Sequence, residues 1–294
     1  NENIDKQFIE KYTNGFENFA HKLRKTSWDN ITLSSGVNRT QIKHLAKLYK
    51  DAKNVVFTWS MGITQHVHGV ENVESIVNLA LLRGMIGKKN AGLLPLRGHS
   101  NVQGVGSMGV TPELKKKILI NFEKQMGINV PKSMGLDTIG CLKASYNHKM
   151  DFAFLLGGNL FAATPNQKFA EQALRNIPFK VFVSTTLNQS HFFGVEEEAV
   201  ILPVAARDEE KQSTTQESMF NFVRTSDGGI VRLSNVRSEV DIITDIASAV
   251  LENKKIDFST FKKHQNIRKA IGHIIPGFDK MSIIDRTKEE FQIG

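Results

Sequence analysis

Polar and glycine-bearing segments follow three apolar, strand-like runs of this chain. The first run, VVFTWS, is followed by four residues of interest, Met61, Gly62, Ile63 and Gln65. A glycine lets the backbone approach a ligand closely, and the Gln65 amide can both donate and accept hydrogen bonds. Ligands of α/β sheets bind at the carboxyl ends of the strands. The segment therefore predicts contact with a large, nucleotide-like cofactor, and a tight turn with a polar cap is the alternative.

The second segment, LRGHSN, adds a permanent positive charge. The guanidinium of Arg97 can form two parallel hydrogen bonds with a carboxylate, which suits a small acidic substrate, and a surface ion pair is the simpler alternative. His99 can carry a proton near neutral pH or hydrogen-bond a cofactor, and the second role is favoured. Gly98 and Asn101 complete the predicted site.

The third segment, LLGGNLFAATPN, follows the strand-like run over residues 152–156. Gly158 permits close approach of a ligand, while Asn159 and Thr164 offer polar groups to a ribose or a nucleobase. Ser184, at the end of the next strand-like run, is a further candidate contact. The alternatives are a simple strand-to-helix connection, in which Thr164 begins the next helix, and a simple strand end at Ser184.

The remaining reactive residue types point to no metal site. His66 and His68 lie two residues apart without another clustered ligand, which indicates a structural or solvated role. Cys141, the only cysteine, excludes a disulfide and a cysteine-held metal cluster within this chain. Its apolar neighbours predict that the thiol is buried in the core.

Alternating helix-like and strand-like segments separate these candidate residues. Apolar residues at spacings of three and four predict helices over residues 38–51 and 73–84, on either side of a buried strand over 55–60. Such alternation is typical of α/β folds, so we expect two Rossmann-like three-layer units with parallel-dominated sheets and a small β excursion. The glycines and proline of HSNVQGVGSMGVTPE predict a linker between the units.

The second half of the chain continues the pattern. Its predicted strands cover residues 152–156, 180–185 and 199–202, and its predicted helices cover 136–148, 166–176 and 240–251. Residues 219–233 alternate around the Asp227-Gly228-Gly229 sequence, which predicts a hairpin whose turn lies at those glycines.

The charge of the chain is unevenly distributed. Its 294 residues carry a formal net charge of +8, and residues 1–150 hold 21 Lys and Arg against 11 Asp and Glu. A bound anionic cofactor would balance this excess, and nucleic acid is the rival partner. The densest basic run, 115–117, alternates with apolar residues at helical spacing and indicates a solvated helix face, so we expect no nucleic acid. No apolar run reaches about 18 residues, which predicts no membrane span and, by default, a cytoplasmic protein.

Longer stretches carry a specific resemblance. MGITQ, GVENVESIVNLALLRGMIGKKNAGLLPLRG and NVQG closely resemble the molybdopterin oxidoreductases of the dimethyl sulfoxide reductase family, and within it the formate dehydrogenase alpha subunits. Weaker resemblance runs from KQFIEKYTNGFENF through LPVAARDEEKQ to RSEVDIITDIA and so covers most of the chain. The chain lacks the family's cysteine-bearing N-terminal region and begins without methionine. We therefore interpret it as an internal fragment of a longer subunit, inactive by itself.

The resemblance implies two cofactor-binding domains. Residues 1–104 would form the C-terminal part of one molybdopterin dinucleotide-binding α/β domain, and residues 105–294 a second, with a hairpin excursion near 216–235. The full-length protein would bind bis-molybdopterin guanine dinucleotide with molybdenum. Its iron-sulfur cluster would lie only in the N-terminal region that this chain lacks.

The resemblance also implies roles for the site residues. Arg97 matches an arginine beside the metal of formate dehydrogenases, whereas His99 stands where those enzymes commonly have glutamine, which leaves the substrate open. Gly158 and Asn159 match the loop for one guanosine end of the cofactor, and Ser184 is the corresponding contact on the next strand. The implied reaction is two-electron oxidation of formate, or of a similar small substrate, at molybdenum, with an electron-transfer partner that the sequence does not identify. The alternatives are a non-catalytic nucleotide-cofactor-binding protein and a basic nucleic-acid-binding module.

Overall fold

A computed structural model of the chain describes residues 3–251 and 255–293. The chain divides into two compact units, of which the first ends at Ser100 and the second begins at Asn101. Both contain parallel strands joined by helices, and the second also contains a small antiparallel sheet. The predicted α/β class with parallel-dominated sheets is therefore confirmed. Of the helices in the described ranges, none is long and apolar enough to cross a membrane.

The first unit contains six helices and two strands among its described residues. They are α1 (Lys6–Tyr12), α2 (Phe16–Lys25), α3 (Trp28–Ser35), α4 (Arg39–Asp51), β1 (Val56–Trp59), α5 (Met61–Thr64), α6 (Gly69–Leu81) and β2 (Gly92–Pro95). Helix α4 begins where predicted because Asn38 and Gln41 form a reciprocal capping box at its start. Helix α3, which we did not predict, is likewise capped by the side chain of Ser27.

Strands β1 and β2 are parallel, with Val56 beside Gly92 and Trp59 beside Pro95. Parallel neighbours require a crossover connection, and helix α6 supplies it. The prediction that β1 is buried is wrong, since alternate residues of the strand are exposed and Val56 is 51 % exposed. The physical reason is that β1 pairs with a single strand in the part of the chain that the structure describes.

The second unit contains the remaining elements. They are α7 (Val102–Ser107), α8 (Lys116–Met126), α9 (Thr138–Tyr146), β3 (Phe152–Leu156), α10 (Leu160–Ala163), α11 (Gln167–Arg175), β4 (Phe179–Ser184), β5 (Glu198–Pro203), β6 (Thr214–Glu217), β7 (Phe222–Ser226), α12 (Glu239–Val250), α13 (His264–Ile274), α14 (Ile284–Thr287) and β8 (Phe291–Gln292). Short 3-10 turns cover Gln189–His191, Arg207–Glu209, Phe258–Lys262 and Asp279–Ser282. The predicted linker is partly wrong, because α7 forms within it.

The parallel sheet of the second unit has the order β3-β4-β5. The central strand β4 is the most buried, and its Val181 and Val183 pack with Ile242 of helix α12. Strand β3 lies at an edge of the sheet, and the side chains on one of its faces, Phe152, Phe154 and Leu156, are 39–51 % exposed. The predicted bounds of β3 are exact, and those of β4, β5 and α12 are correct to within one residue.

The hairpin is present, but its turn is not where we predicted it. Strands β6 and β7 pair antiparallel, and the chain reverses between them at residues 218–221, where Asn221 has a φ of +60°. The glycines Gly228 and Gly229 instead pass close to the backbone of residues 208–211, and the Gly229 N–H donates to the Glu210 carbonyl at 2.5 Å. A Cβ atom at either glycine would clash with that backbone, so close packing explains the two glycines.

The predicted burial of Cys141 is also wrong, because its thiol is exposed. Helix α9 turns a different face inward, since Leu142 is 2 % exposed and Ser145 is 3 % exposed. Adjacent helical positions are about 100° apart around the helix axis, so the residue next to a buried leucine readily faces outward. Ile139, on which the prediction rested, is 48 % exposed as well.

Candidate functional site

In the first unit, the carboxyl ends of β1 and β2 are joined by hydrogen bonds. The Leu96 N–H donates to the Trp59 carbonyl at 2.7 Å, and the Ser60 hydroxyl donates to the Leu96 carbonyl at 3.1 Å. The segments that follow the two strands therefore start side by side at one edge of the sheet. This is the edge at which α/β sheets bind ligands.

The MGITQ segment at this edge is a single helical turn, α5, with Gln65 as its C-cap residue. The Gln65 N–H closes the turn by donating to the Met61 carbonyl at 2.7 Å. Space is open around the position that a Cβ atom of Gly62 would occupy. For Gly98, the nearest atom to such a Cβ is Cγ of Met61, at 4.0 Å. Both glycines thus leave room beside the backbone, as a closely approaching ligand requires.

The charged and titratable candidates of this edge lie in the loop after β2. Arg97 and His99 are both exposed, so their side chains are accessible to a small molecule in solution. Met61 and Ile63, on helix α5, are 46 % and 38 % exposed. The structure therefore brings the candidates from both segments of the first unit to one accessible sheet edge.

Asn101 belongs to the second unit and has a structural task there. Its backbone is in the left-handed region, with a φ of +60°, at the start of helix α7. Its side-chain carbonyl accepts a hydrogen bond from the Glu217 N–H at 2.9 Å, which ties α7 to strand β6. The same side chain fills the space beside Gly104. Contact between Asn101 and a cofactor stays a prediction.

A second candidate edge lies at the carboxyl ends of β3 and β4. Gly157 and Gly158 follow β3 with φ values of +68° and +74°, and no atom lies within 4 Å of the Cβ that a side chain would add at either. The Gly157 N–H donates to the Val183 carbonyl of the neighbouring strand at 2.8 Å. The two glycines therefore leave open space beside the backbone at the strand end, where a phosphate or a planar base can approach closely.

The polar candidates near these two glycines differ in what they contact. Asn159 caps helix α10, and its Oδ1 accepts from the Ala162 N–H at 3.2 Å. Thr164 is 8 % exposed and its hydroxyl donates to the Leu160 carbonyl at 2.7 Å. Ser184 donates to the Thr186 carbonyl at 2.8 Å. Asn159 thus lies directly after the two glycines, whereas the hydroxyls of Thr164 and Ser184 bond to nearby backbone.

Sequence reasoning did not identify Asn188 and Ser190, which support this edge from the turn over residues 188–191. Ser190 donates to Asn159 Oδ1 at 2.7 Å, and Asn188 Nδ2 donates to the Gly158 carbonyl at 3.0 Å. The signal that was available is the Asn-x-Ser-His sequence shortly after a strand, because Asn and Ser commonly cap short helical turns.

His191 closes the same turn from inside the unit. Its Nδ1 accepts from the Asn188 N–H at 3.0 Å, and its ring lies edge-on to Phe182 with a centroid distance of 4.9 Å. Burial lowers the pKa of His191 below its ordinary value of 6.5. The imidazole is therefore neutral at pH 7, and a neutral ring can accept a hydrogen bond at Nδ1.

The histidine pair and an apolar cavity of the second unit are two further features that the candidate sites do not include. The His68 N–H donates to His66 Nδ1 at 3.1 Å, and within residues 3–251 and 255–293 no three metal-ligating side chains converge. An apolar cavity of about 410 Å³ lies among helices α8, α12 and α13. None of the predicted site residues lines it, so this apolar cavity lies apart from the predicted chemistry of the second unit.

Comparison with known proteins gives the family. The family description of the molybdopterin oxidoreductases matches residues 22–249. An uncharacterised oxidoreductase of Mycobacterium bovis is 32 % identical over 99 % of this chain and 38 % of its own length. The alpha subunit of a formate dehydrogenase of Methanocaldococcus jannaschii is 32 % identical over 69 % of this chain and 30 % of its own length.

A solved structure agrees with these sequence matches. Acetylene hydratase from Pelobacter acetylenicus has a TM-score of 0.59 over 100 % of this chain and 42 % of that protein, at 13 % identity, which shows a shared fold alone. The chain spans about 38 % of the length of the first curated relatives. Its sequence matches and its fold agree, and the chain belongs to the molybdopterin oxidoreductase family.

Proposed function

We propose that this chain forms part of the catalytic subunit of a molybdopterin guanine dinucleotide-dependent oxidoreductase of the formate dehydrogenase type. In this proposal residues 1–104 and 105–294 belong to two domains that bind the two halves of the cofactor. The observation that carries it is the open space beside the backbone of Gly157 and Gly158, at the carboxyl end of a parallel strand in a chain of this family.

The residues at the two sheet edges fit such a cofactor. Close backbone approach of a pyrophosphate or a guanine requires positions without a Cβ, and Gly158 and Gly62 have open space where a Cβ would lie. Asn159 supplies a side-chain amide at the edge formed by β3 and β4, and Gln65 supplies one at the edge formed by β1 and β2. Thr164 and Ser184 stay candidate contacts through their backbone groups, since their hydroxyls bond locally.

The proposed catalytic role falls on the loop after β2. When bound, the cofactor's molybdenum would supply the two-electron redox step. Arg97 would hold a carboxylate such as formate through its planar guanidinium, and His99 would hydrogen-bond the cofactor. The iron-sulfur cluster would be held elsewhere in the subunit, because the single Cys141 cannot supply a cluster's usual set of thiolates.

Binding of guanosine monophosphate to the purified chain tests the proposal by calorimetry. Gly158→Ala places a methyl group in the open space beside this backbone, and we expect affinity to fall about tenfold, the equivalent of one hydrogen bond. Gly127→Ala is the matched control, because Gly127 has a φ of +64° and open space at its Cβ position in the same unit. The control carries the same backbone strain and should bind normally. Equal loss in both variants, or no binding by the parent chain, contradicts a nucleotide site at this loop.

A further inference from the structure

The turn over residues 188–191 orients the amide of Asn159, and we infer that Ser190 and Asn188 are positioning residues that make this loop a hydrogen-bond donor site. A donor site of this kind takes an oxygen acceptor, either a phosphate or a carbonyl of a nucleobase. The inference rests on the proposed function for the identity of the ligand, and on the hydrogen bonds of the turn for the orientation of the loop.

The orientation of the Asn159 amide is set by two donors. The Ala162 N–H can only donate, and it lies 3.2 Å from Asn159 Oδ1. This identifies that atom as the oxygen, because an amide nitrogen there would face another donor. The Ser190 hydroxyl donates to the same oxygen at 2.7 Å. With its oxygen held on both sides, Asn159 is left with its Nδ2 donors to offer to a ligand.

The Ser190 hydroxyl has a single proton, which it donates to Asn159. Ser190 is 2 % exposed, and its Oγ accepts from the Phe161 N–H at 3.0 Å while its one proton goes to Asn159. Its direction is therefore fixed by the start of helix α10 on one side and by Asn159 on the other. Removing the hydroxyl leaves the Asn159 oxygen held by the Ala162 N–H alone, at the longer distance of 3.2 Å.

Asn188 orients the backbone of the same loop. Its Nδ2 donates to the Gly158 carbonyl at 3.0 Å, while its Oδ1 accepts from the Ser190 N–H at 2.9 Å. In a trans peptide the carbonyl of one residue and the N–H of the next point in opposite directions. The N–H of Asn159 therefore points away from Asn188, and this backbone donor adds to the side-chain donors of the same residue.

A double-mutant cycle with guanosine monophosphate tests the inference on the full chain. We expect Ser190→Ala and Asn159→Ala each to weaken binding about tenfold, and the double variant to bind no more weakly than Asn159→Ala alone. Additive losses would mean that Ser190 supports the fold without acting through Asn159, and would overturn the inference. Ser145→Ala is the control, since Ser145 is 3 % exposed and its hydroxyl donates to a carbonyl of the same unit at 2.8 Å.

Two additions keep the test decisive if a variant unfolds or the parent chain does not bind. Asn188→Asp keeps the acceptor for the Ser190 N–H and removes the donor to Gly158, so it should also weaken binding. The side-chain amide signals of Asn159 in NMR spectra report its orientation without any ligand. We expect the Asn159 side-chain amide to reorient about its Cβ–Cγ bond more freely in Ser190→Ala than in the parent. Side-chain amide signals of Asn159 that are the same in both proteins would refute the positioning role. A parent chain that fails to bind refutes the proposed function alone.

Comparison of three probes identifies the acceptor. Inorganic phosphate, guanosine and guanosine monophosphate are titrated into the parent chain and Asn159→Ala. A loss confined to phosphate-containing probes assigns the donors to a phosphate, and a loss with guanosine assigns them to the base. Equal affinity of the two proteins for every probe overturns the assignment of Asn159 as a donor.

Discussion

The ion pair between Arg268 of helix α13 and Asp285 of helix α14 gives the strongest stability prediction. Their side chains are only 5 % and 16 % exposed, and Arg268 Nε donates to Asp285 Oδ2 at 2.7 Å. Arg268 also donates to the carbonyl of Ser213 at 2.8 Å, so the pair ties two helices to the chain before β6. The neighbouring guanidinium holds the pKa of the Asp285 carboxyl below its ordinary value of 3.8.

Asp285→Asn leaves the buried guanidinium without its counter-charge, for which about 3 to 5 kcal/mol of unfolding free energy is typically lost. A domain is stable by only about 5 to 15 kcal/mol, so this loss is a large share of the total. Glu290→Gln is the matched control, because Glu290 pairs with Arg224 at 3.5 Å and the two side chains are 45 % and 62 % exposed. An exposed pair of this kind contributes about 0 to 1 kcal/mol.

Urea unfolding at pH 7 measures both variants against the parent chain. The pH dependence gives a second check with a definite sign. Because the folded pKa of Asp285 is lowered, its contribution is fully present above the unfolded value of 3.8 and is lost as pH falls through the folded value. The difference in unfolding free energy between the parent chain and Asp285→Asn should therefore narrow below about pH 4. Similar losses in the two variants, or a gap that widens in acid, would refute the reasoning.

Three further predictions concern function and pH. In the full subunit, Arg97→Lys keeps the charge but loses the planar fork, so formate oxidation should fall about ten-fold to a hundred-fold at unchanged molybdenum content, as assayed by turnover and metal analysis. Because burial lowers the pKa of His191, unfolding free energy should decline as pH falls below 6.5, and His191→Asn should flatten that decline in urea titrations. The purified chain, with Cys141 as its one cysteine, should contain no iron-sulfur cluster, and near-stoichiometric iron would contradict this.

Local periodicity predicted the parallel sheet of the second unit well. Strand β3 was located exactly because it is a continuous apolar run bounded by a polar residue and by Gly157 and Gly158. Helix α12 was located to within one residue by its apolar stripe. Signals of this type depend on near neighbours in sequence, and a single sequence contains them.

Contacts between distant residues could not be predicted in the same way. Ser190 and Asn159 are 31 positions apart, and only the meeting of two strand ends brings them within hydrogen-bonding distance. Gly228 was assigned to a turn because glycine serves turns and close packing alike, and the sequence does not show which. Cys141 was placed in the core by its neighbours, but the direction in which helix α9 faces depends on the tertiary contacts of Leu142.

The exposed face of strand β3 affects how the chain behaves at high concentration. Phe152, Phe154 and Leu156 form an apolar row along a strand that has one edge unpaired within the described residues. An unpaired edge of this composition readily adds another strand, which makes it a starting point for self-association. The average molar mass measured by light scattering of the purified chain should therefore increase with protein concentration. Phe154→Lys, on this face of the strand, should reduce that increase. Solubility in preparations of this chain then depends on the edge strand of its sheet, which leads directly into the candidate site at Gly157 and Gly158.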